Sequence, residues 1–118
     1  MKEIGAETFY GCSSLKSIVI PNTMTVIYYA AFYECDSLEN IIIPDTVTAI
    51  GQKAFYNCKL LTTVTLKTTK LTKSNVGADA FAKTNAKCTF KVPKNKVSAY
   101  KKIFKSKGAA AKIKVVKN

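Results

Sequence analysis

The sequence contains no histidine, no arginine and no tryptophan, and only seven of its 118 residues are acidic. Without histidine the chain lacks the commonest general base and the commonest zinc ligand. Without arginine it lacks the side chain best suited to bidentate recognition of phosphates and base edges. These absences argue against an enzyme, a metal site and a specific nucleic-acid reader, and we expect no cofactor.

Long apolar runs are also missing. The longest, residues 26–33, has eight residues and includes three tyrosines, far short of the roughly 20 residues of a membrane-spanning helix. The start of the chain has no charged, apolar and small-residue segments in the order of a signal peptide. The length and the hydrophobic fraction of 47% suit one globular domain with a modest core.

The charge is divided unevenly along the chain. Residues 1–58 carry three lysines and six acids, whereas residues 59–118 carry sixteen lysines and only Asp79. One interpretation is a solvated lysine surface that keeps the domain soluble. The other is attachment to an anionic partner, such as teichoic acid, an anionic membrane or nonspecifically bound nucleic acid, with a strong dependence on salt.

An internal repeat of 23 residues dominates the sequence. It is seen in parallel columns of identical or similar residues, which are Phe9, Phe32 and Phe55; Tyr10, Tyr33 and Tyr56; Cys12, Cys35 and Cys58; Leu15, Leu38 and Leu61; and Ile4, Ile27 and Ile50. One such unit cannot enclose its own apolar residues, so the units must stack to form a continuous core. Each unit contains one alternating run, as in Ile18-Val19-Ile20, which predicts a short strand with one face inward. Pro21 and Pro44 end two of these strands.

The alternation also predicts which side chains point outward from the sheet. These are the candidate binding residues Ser17, Val19, Asn40, Ile42, Thr63, Thr65, Thr89 and Lys91. The set is mildly apolar and almost uncharged, and the sheet of a repeat stack commonly serves as a binding surface. The alternative is that the β-branched residues are there for strand propensity alone.

The fourth repeat and the C-terminal end depart from the period. Three extra residues lie in the polar segment 67–75, and the strand ending in Phe90 and Val92 restores the pattern. Beyond Pro93 we expect an amphipathic helix over 95–107 with Gly108 as its stop, then a last short strand in 112–118. We therefore divide the chain into a repeat stack, residues 1–93, and a lysine-rich terminal cap, residues 94–118.

Two columns have more than one interpretation. The cysteine column has a spacing that permits a disulfide between neighbours, but three members cannot all pair, so we expect buried free thiols, Cys88 included. The tyrosine column is either an aromatic binding stripe or a set of rings packed along the outer wall with their hydroxyls in water.

The unit Ile-Gly-x-x-Ala-Phe-x-x-Cys-x-x-Leu-x-x-Ile-x-Ile-Pro resembles the BspA-type leucine-rich repeat family over about residues 4–93. The resemblance implies a leucine-rich repeat solenoid, a right-handed coil stack of the α/β type, with one short parallel strand per repeat and a C-terminal helix–strand cap. It also implies an extracellular or cell-surface bacterial protein that adheres to host or bacterial proteins or glycans and is not an enzyme.

The chain begins in the middle of a repeat, with no N-terminal cap, signal peptide or anchor, so we expect a fragment or the C-terminal end of a longer protein. Three functions then stand beside one another: recognition of proteins or glycans on a concave sheet, a spacer and cap for recognition elsewhere, or lysine-mediated attachment to anionic polymers. An uncapped first repeat also predicts self-association through the N-terminal end.

Overall fold

The computed structural model describes residues 3–4, 9–12, 14–109 and 113–118. Its strands, in chain order, are β1 (Glu3–Ile4), β2 (Ser17–Val19), β3 (Val26–Ile27), β4 (Asn40–Ile43), β5 (Ala49–Ile50), β6 (Thr63–Leu66), β7 (Thr89–Val92) and β8 (Lys114–Lys117). A 3-10 turn, Lys94–Lys96, leads directly into helix α1, Val97–Ser106.

The strands form two parallel sheets. One has five strands in the order β2-β4-β6-β7-β8, and the other has three in the order β1-β3-β5. Within the regular repeats the register advances by the repeat length, as in the pairing of Ile18 with Ile41 and of Ile41 with Val64. Equivalent residues therefore lie beside one another, as the columns of the sequence predicted.

The repeat carries two strands rather than the single strand we expected. The second is the two-residue element of β1, β3 and β5, and Ile50 also bridges to Val76 in the fourth repeat. The column of Ile27 and Ile50 was visible in the sequence, but a strand of two residues is too short to show the alternation by which strands are recognised. Among the described residues of 14–93 there is also no helix, so the α/β description is wrong for the repeats.

A wall of hydrogen-bonded turns takes the place of a helix. Backbone N–H groups of one repeat donate to carbonyls of the next, from Phe32 to Ala54 and from Phe55 to Ala80, both at 2.8 Å. Glu34 and Asn57 donate in the same way from backbone with φ of 56° and 63°. This left-handed conformation is costly for non-glycine residues, and here it accompanies a bond to the neighbouring repeat.

The core runs along the inside of these three walls. Phe9, Phe32, Phe55 and Phe81 stack with ring centroids 5.2 to 5.4 Å apart, next to the buried alanines 31, 54 and 80. The inward strand residues, such as Ile41 and Val64, are buried between them. A small residue beside each ring allows the backbones to approach while the ring fills the repeat.

The C-terminal segment pairs with both the sheet and the turn wall of the fourth repeat. Strand β8 adds to β7, and the Asn118 amide donates to the Val92 carbonyl at 2.8 Å. On the turn wall, the backbone N–H of Phe81 donates to the carbonyl of Lys107 at 3.1 Å. Lys107 therefore accepts the bond from Phe81 just as Ala80 accepts the bond from Phe55. Lys107 thus substitutes for a further repeat, 26 residues after Phe81.

The inserted segment, residues 67–75, contacts the helix rather than solvent alone. The Tyr100 hydroxyl donates to the Thr68 carbonyl at 2.7 Å and accepts the Leu71 amide at 3.3 Å. The Thr68 hydroxyl donates to the carbonyl of Val47 at 2.5 Å, and Thr68 and Leu71 are both buried. The insertion looked like a polar loop in the sequence, yet it provides the hydrogen-bond partners of the buried Tyr100.

Candidate binding surface

The outward side of the five-stranded sheet, here called the sheet face, contains all eight predicted binding residues. They form two columns that the strand register defines. The first column is Ser17, Asn40, Thr63 and Thr89, and the second is Val19, Ile42, Thr65 and Lys91. The structure therefore brings together all the residues that the alternation had assigned to this surface.

Strand β8 extends the sheet face by one strand that the sequence reasoning had not included. Lys114 pairs beside Thr89 and Val116 beside Lys91, so both columns continue outward into β8. The signal was present in the sequence, because apolar and polar residues alternate in the predicted strand over 112–118: with Ile113 and Val115 inward, Lys114 and Val116 must point the other way. The complete sheet face thus has ten residues.

The polar character of the sheet face changes along its length. At the β2 and β4 end, Val19 is 84% exposed and Ile42 is 47% exposed. The middle carries hydroxyl groups at Thr63, Thr65 and Thr89, each half-buried between its neighbours. The far end presents the exposed lysines 91 and 114, so the surface runs from aliphatic through hydroxyl to cationic.

The polar groups of the sheet face are not used within the fold. Within the described ranges, the side chains of Ser17, Asn40 and the three threonines hydrogen-bond no other residue, and Lys91 and Lys114 form no ion pair. Threonines elsewhere behave differently: Thr46, Thr62 and Thr68 each donate to a backbone carbonyl. The donors and acceptors of the sheet face are therefore available to a ligand.

The tyrosine column has the ring faces between its members, and the ring of Tyr56, occupied. Tyr10, Tyr33 and Tyr56 stack with centroids 4.7 and 4.9 Å apart and planes within 7° of parallel. The ammonium groups of Lys53 and Lys83 lie 5.6 and 5.5 Å from the centroid of the Tyr56 ring. Since a stacking ligand needs an open ring face, this geometry favours the structural interpretation of the column.

The four cysteines are free thiols, but they are not equally buried. Cys35, Cys58 and Cys88 are buried as expected, whereas Cys12 is only partly buried. The prediction of a buried thiol is therefore wrong for Cys12, which lies in the outermost described repeat with a neighbour on one side. The Cys35 and Cys58 thiols donate to the carbonyls of Phe9 and Phe32 in the preceding repeat, at 3.0 and 3.1 Å.

The surroundings of three thiols and one phenol shift their acidity. The hydrogen bond with Cys35, followed by burial, raises the pKa of Cys58, and burial raises the pKa of Cys88 to about 12. Burial also raises the pKa of Tyr100, against the opposing effect of its bond to the Leu71 backbone. The three groups with a raised pKa stay neutral at physiological pH and serve packing rather than chemistry. The pKa of Cys35 is lowered instead, chiefly by its hydrogen bond with Cys58.

Neither a metal-ligand cluster nor a membrane-spanning helix occurs in the described part of the chain. In that part of the chain there is no cluster of three or more histidine, cysteine or carboxylate side chains with metal-binding geometry. No helix among the same residues combines the length and apolar character that crossing a bilayer requires.

Comparison with known sequences places the chain in a repeat class and then in one family. The columns, the parallel register and the stacked core define a repeat protein. The sequence model described as the BspA type leucine-rich repeat region, with six copies, matches residues 1–115, so the chain belongs to this family. No curated protein matches the chain. No solved structure matches it either.

Proposed function

We propose that the chain is a noncatalytic binding module of a cell-surface protein that recognises other proteins through the sheet face. The observation that carries the proposal is the row of polar side chains on the sheet face that the fold leaves without internal partners, next to the exposed Val19 and Ile42. Family membership supports a binding or adhesion role and a cell-surface location. Protein is favoured over glycan because none of the ten sheet-face residues is aromatic, and aromatic rings are the usual platform for sugar rings.

The same proposal assigns the fold to a solenoid with a terminal cap. The repeated register of both sheets supports the stack. The pairing of β8 with β7 and the bond from Phe81 to Lys107 support the cap. A repeat stack needs such an end, because its last repeat otherwise exposes apolar residues and unpaired backbone.

The size of the sheet face sets the affinity we expect. Five strands about 4.8 Å apart, with about 13 Å of each exposed, give an area of roughly 300 Å². A stable interface buries about 800 Å² on each partner. Binding confined to this face should therefore be weaker than micromolar.

The test introduces a bulky charge in the middle of the sheet face. The full chain and the variant Thr65→Arg are compared for binding to immobilised host extracellular-matrix proteins and to whole bacterial cells. Ala86→Arg adds the same charge at an exposed turn away from the face and is the matched control. We expect Thr65→Arg to lose binding and Ala86→Arg to retain it; equal binding by both variants would contradict recognition through the sheet face and leave the spacer role.

Attachment to anionic polymers is the second candidate function. It is favoured by the sixteen lysines of residues 59–118, among which Lys101, Lys102 and Lys105 are exposed on α1. Teichoic acid is a suitable probe. Electrostatic binding should fall steeply between 50 and about 200 mM salt, and replacement of the three helix lysines by glutamine should weaken it, whereas Thr65→Arg should not.

A further inference from the structure

We infer that the sheet face selects an extended peptide segment that carries an aliphatic side chain and an acidic side chain four positions apart. The inference rests on the proposed function and specifies the partner of the same surface. Its basis is the uneven distribution of charge and apolar area along the ten residues, which a ligand of matching polarity would recognise in one orientation.

At the cationic end of the sheet face, no described carboxylate forms an ion pair with the lysines. Lys91 and Lys114 are diagonal neighbours, because Lys91 pairs beside Val116 and Lys114 beside Thr89. Neither lysine is in an ion pair with another described residue, and both are exposed. Two adjacent ammonium groups of this kind attract a carboxylate.

The other end of the sheet face suits an aliphatic side chain. Ile42 remains 47% exposed although it lies in a strand paired on both sides, and the adjacent Val19 is 84% exposed. Covering these side chains removes apolar surface from water, which is favourable in proportion to the area covered. The threonines between the two ends offer hydroxyl groups to a peptide backbone that crosses them.

The spacing follows from the strand register. Lys91 lies in the same column as Ile42 and two strands away, at a distance of about 10 Å. Lys114 lies one strand further, in the other column, and is about 16 Å from Ile42. Residues i and i+4 of an extended peptide lie on the same side and about 13 Å apart. An acidic side chain at i+4 therefore falls between the two lysines, whereas one at i+3 points away from the sheet.

The experiment uses capped peptides and the full chain labelled with nitrogen-15. The first probe is Gly-Ser-Ile-Thr-Ser-Thr-Glu-Ser-Gly, in which isoleucine and glutamate are four positions apart, together with its reversed sequence. The controls have the same composition but place glutamate three positions from isoleucine. Chemical shifts of the backbone amides are followed at low salt as peptide is added up to several millimolar.

We expect one of the two i+4 peptides to shift amides of β4, β6, β7 and β8 and to bind at least threefold more tightly than the i+3 controls. Lys91→Gln with Lys114→Gln should remove that preference, because each exposed charge pair contributes a factor of about 1.5 to 5. Lys91→Arg with Lys114→Arg should retain it. The matched control, Lys101→Gln with Lys105→Gln, changes the same net charge on the helix and should leave the preference unchanged.

Three results would overturn the inference. One is binding to the sheet face that depends neither on the spacing nor on Lys91 and Lys114, which would leave recognition through this face in place. Another is the absence of any shift at several millimolar peptide, in which case the matrix-protein assay of Thr65→Arg alone decides the proposed function. The third, shifts outside the sheet face with both sets of peptides, would count against both the inference and the proposed function.

Discussion

The regular repeats, described at residues 9–12 and 14–66, and the C-terminal part, residues 67–118, solve the same packing problem by different means. In the regular part each phenylalanine stacks on its equivalent with planes within 8° of parallel. In the C-terminal part Phe81 meets Phe90 and Phe104 at 86° and 64°. The difference shows that stacking of identical residues requires another copy of the repeat. A terminal segment fills the same space with a helix and with rings at several angles, edge-on against Phe81 and stacked at 28° between Phe90 and Phe104.

Hydrogen bonding shows the same contrast. In the regular part the bonds between repeats are mostly backbone to backbone at equivalent positions, such as Glu34 to Tyr56 and Asn57 to Ala82. In the C-terminal part side chains take over much of this role, with the Tyr100 hydroxyl bonded to Thr68 and the Asn118 amide group bonded to the Leu66 carbonyl at 3.1 Å. Backbone bonds tolerate many side chains, but the C-terminal bonds depend on particular ones.

The largest effect should come from interrupting the phenylalanine stack. Phe55→Ala removes a buried ring with a stacked neighbour on both sides, and we expect it to lower the free energy of unfolding by about 3–5 kcal/mol. Phe9→Ala, at a partly buried ring with one described ring neighbour, should cost about 1–2 kcal/mol. Urea denaturation measures both, and equal losses would show that the stack does not act as a row of paired contacts.

The next effect concerns the join between the inserted segment and the helix. Tyr100→Phe leaves the buried Leu71 amide and Thr68 carbonyl without the hydroxyl, so we expect a loss of about 1–3 kcal/mol. Tyr33→Phe keeps a stacked ring and removes a hydroxyl for which no bond is found among the described residues, and it should change stability by less than about 0.5 kcal/mol. Faster amide exchange confined to residues 67–75 would locate the loss; equal effects of the two variants would exclude this role for Tyr100.

The N-terminal edge should be less protected than the interior. Among the described residues strand β2 pairs on one side only, whereas β6 pairs on both, and we expect at least tenfold faster amide exchange in residues 17–19 than in residues 63–66. An unpaired strand edge also favours self-association. As the protein concentration is raised, the amides of β2 should therefore exchange more slowly, and the mass measured by sedimentation should increase. A monomer at all concentrations whose β2 is as protected as β6 would refute both expectations. Residues 1, 2, 5–8 and 13, which belong to the same prediction, lie outside the described part of the chain.

Alkaline pH should destabilise the protein through the buried thiol of Cys88. The pKa of Cys88 is raised from 9.0 to about 12 in the folded state, so the folded protein keeps this proton while the unfolded chain loses it. The stabilisation is complete below about pH 8, declines from pH 9 and is lost by pH 12, at about 1.4 kcal/mol per pH unit. Cys88→Ala should flatten that decline in urea denaturation curves. Thiol reagents at pH 8 should modify Cys12 first and reach four thiols only after unfolding.

The smallest effect should be a gain. Lys83 has φ of 59°, and no backbone bond from its amide to another described residue accompanies this conformation, in contrast to Glu34 and Asn57. Lys83→Gly and Lys83→Ala both remove the ammonium group near the Tyr56 ring, so the glycine variant should be the more stable of the two by about 0.5–1 kcal/mol. Lys87 is exposed and has no positive φ, so there the glycine variant should be no more stable than the alanine variant; the same result at Lys83 would mean that the position carries no strain.

Most of the regular part could be predicted from the sequence, because similar residues recur at equivalent positions in every repeat. The inward residues such as Ile41 and Val64, the Ala-Phe pairs and the sheet-face residues were all assigned from columns and alternation. The helix was expected at 95–107 and is found at Val97–Ser106. Its buried side, with Tyr100, Ile103 and Phe104, is the one that the amphipathic pattern indicated.

What could not be predicted lacks either repetition or length. The two-residue strands of the smaller sheet are too short for a periodic signal, and the turns have positive φ at residues as different as Glu34, Lys53 and Asp79, which no composition rule indicates. The partnership of Thr68 with Tyr100 occurs once and joins residues 32 positions apart. Long-range contacts made only once leave no pattern in a single sequence.

The three hydrogen-bonded walls of the repeats have a consequence for shape. The two sheets and the turn wall each advance by one interstrand spacing of about 4.8 Å per repeat, since all three are joined by backbone hydrogen bonds. Because the three walls rise by similar amounts, we expect the sheet face to bend little along the stack instead of curling around a partner. Each additional repeat would lengthen the sheet face by the same increment. A straight, extended partner would therefore gain contacts in proportion to the number of repeats it spans.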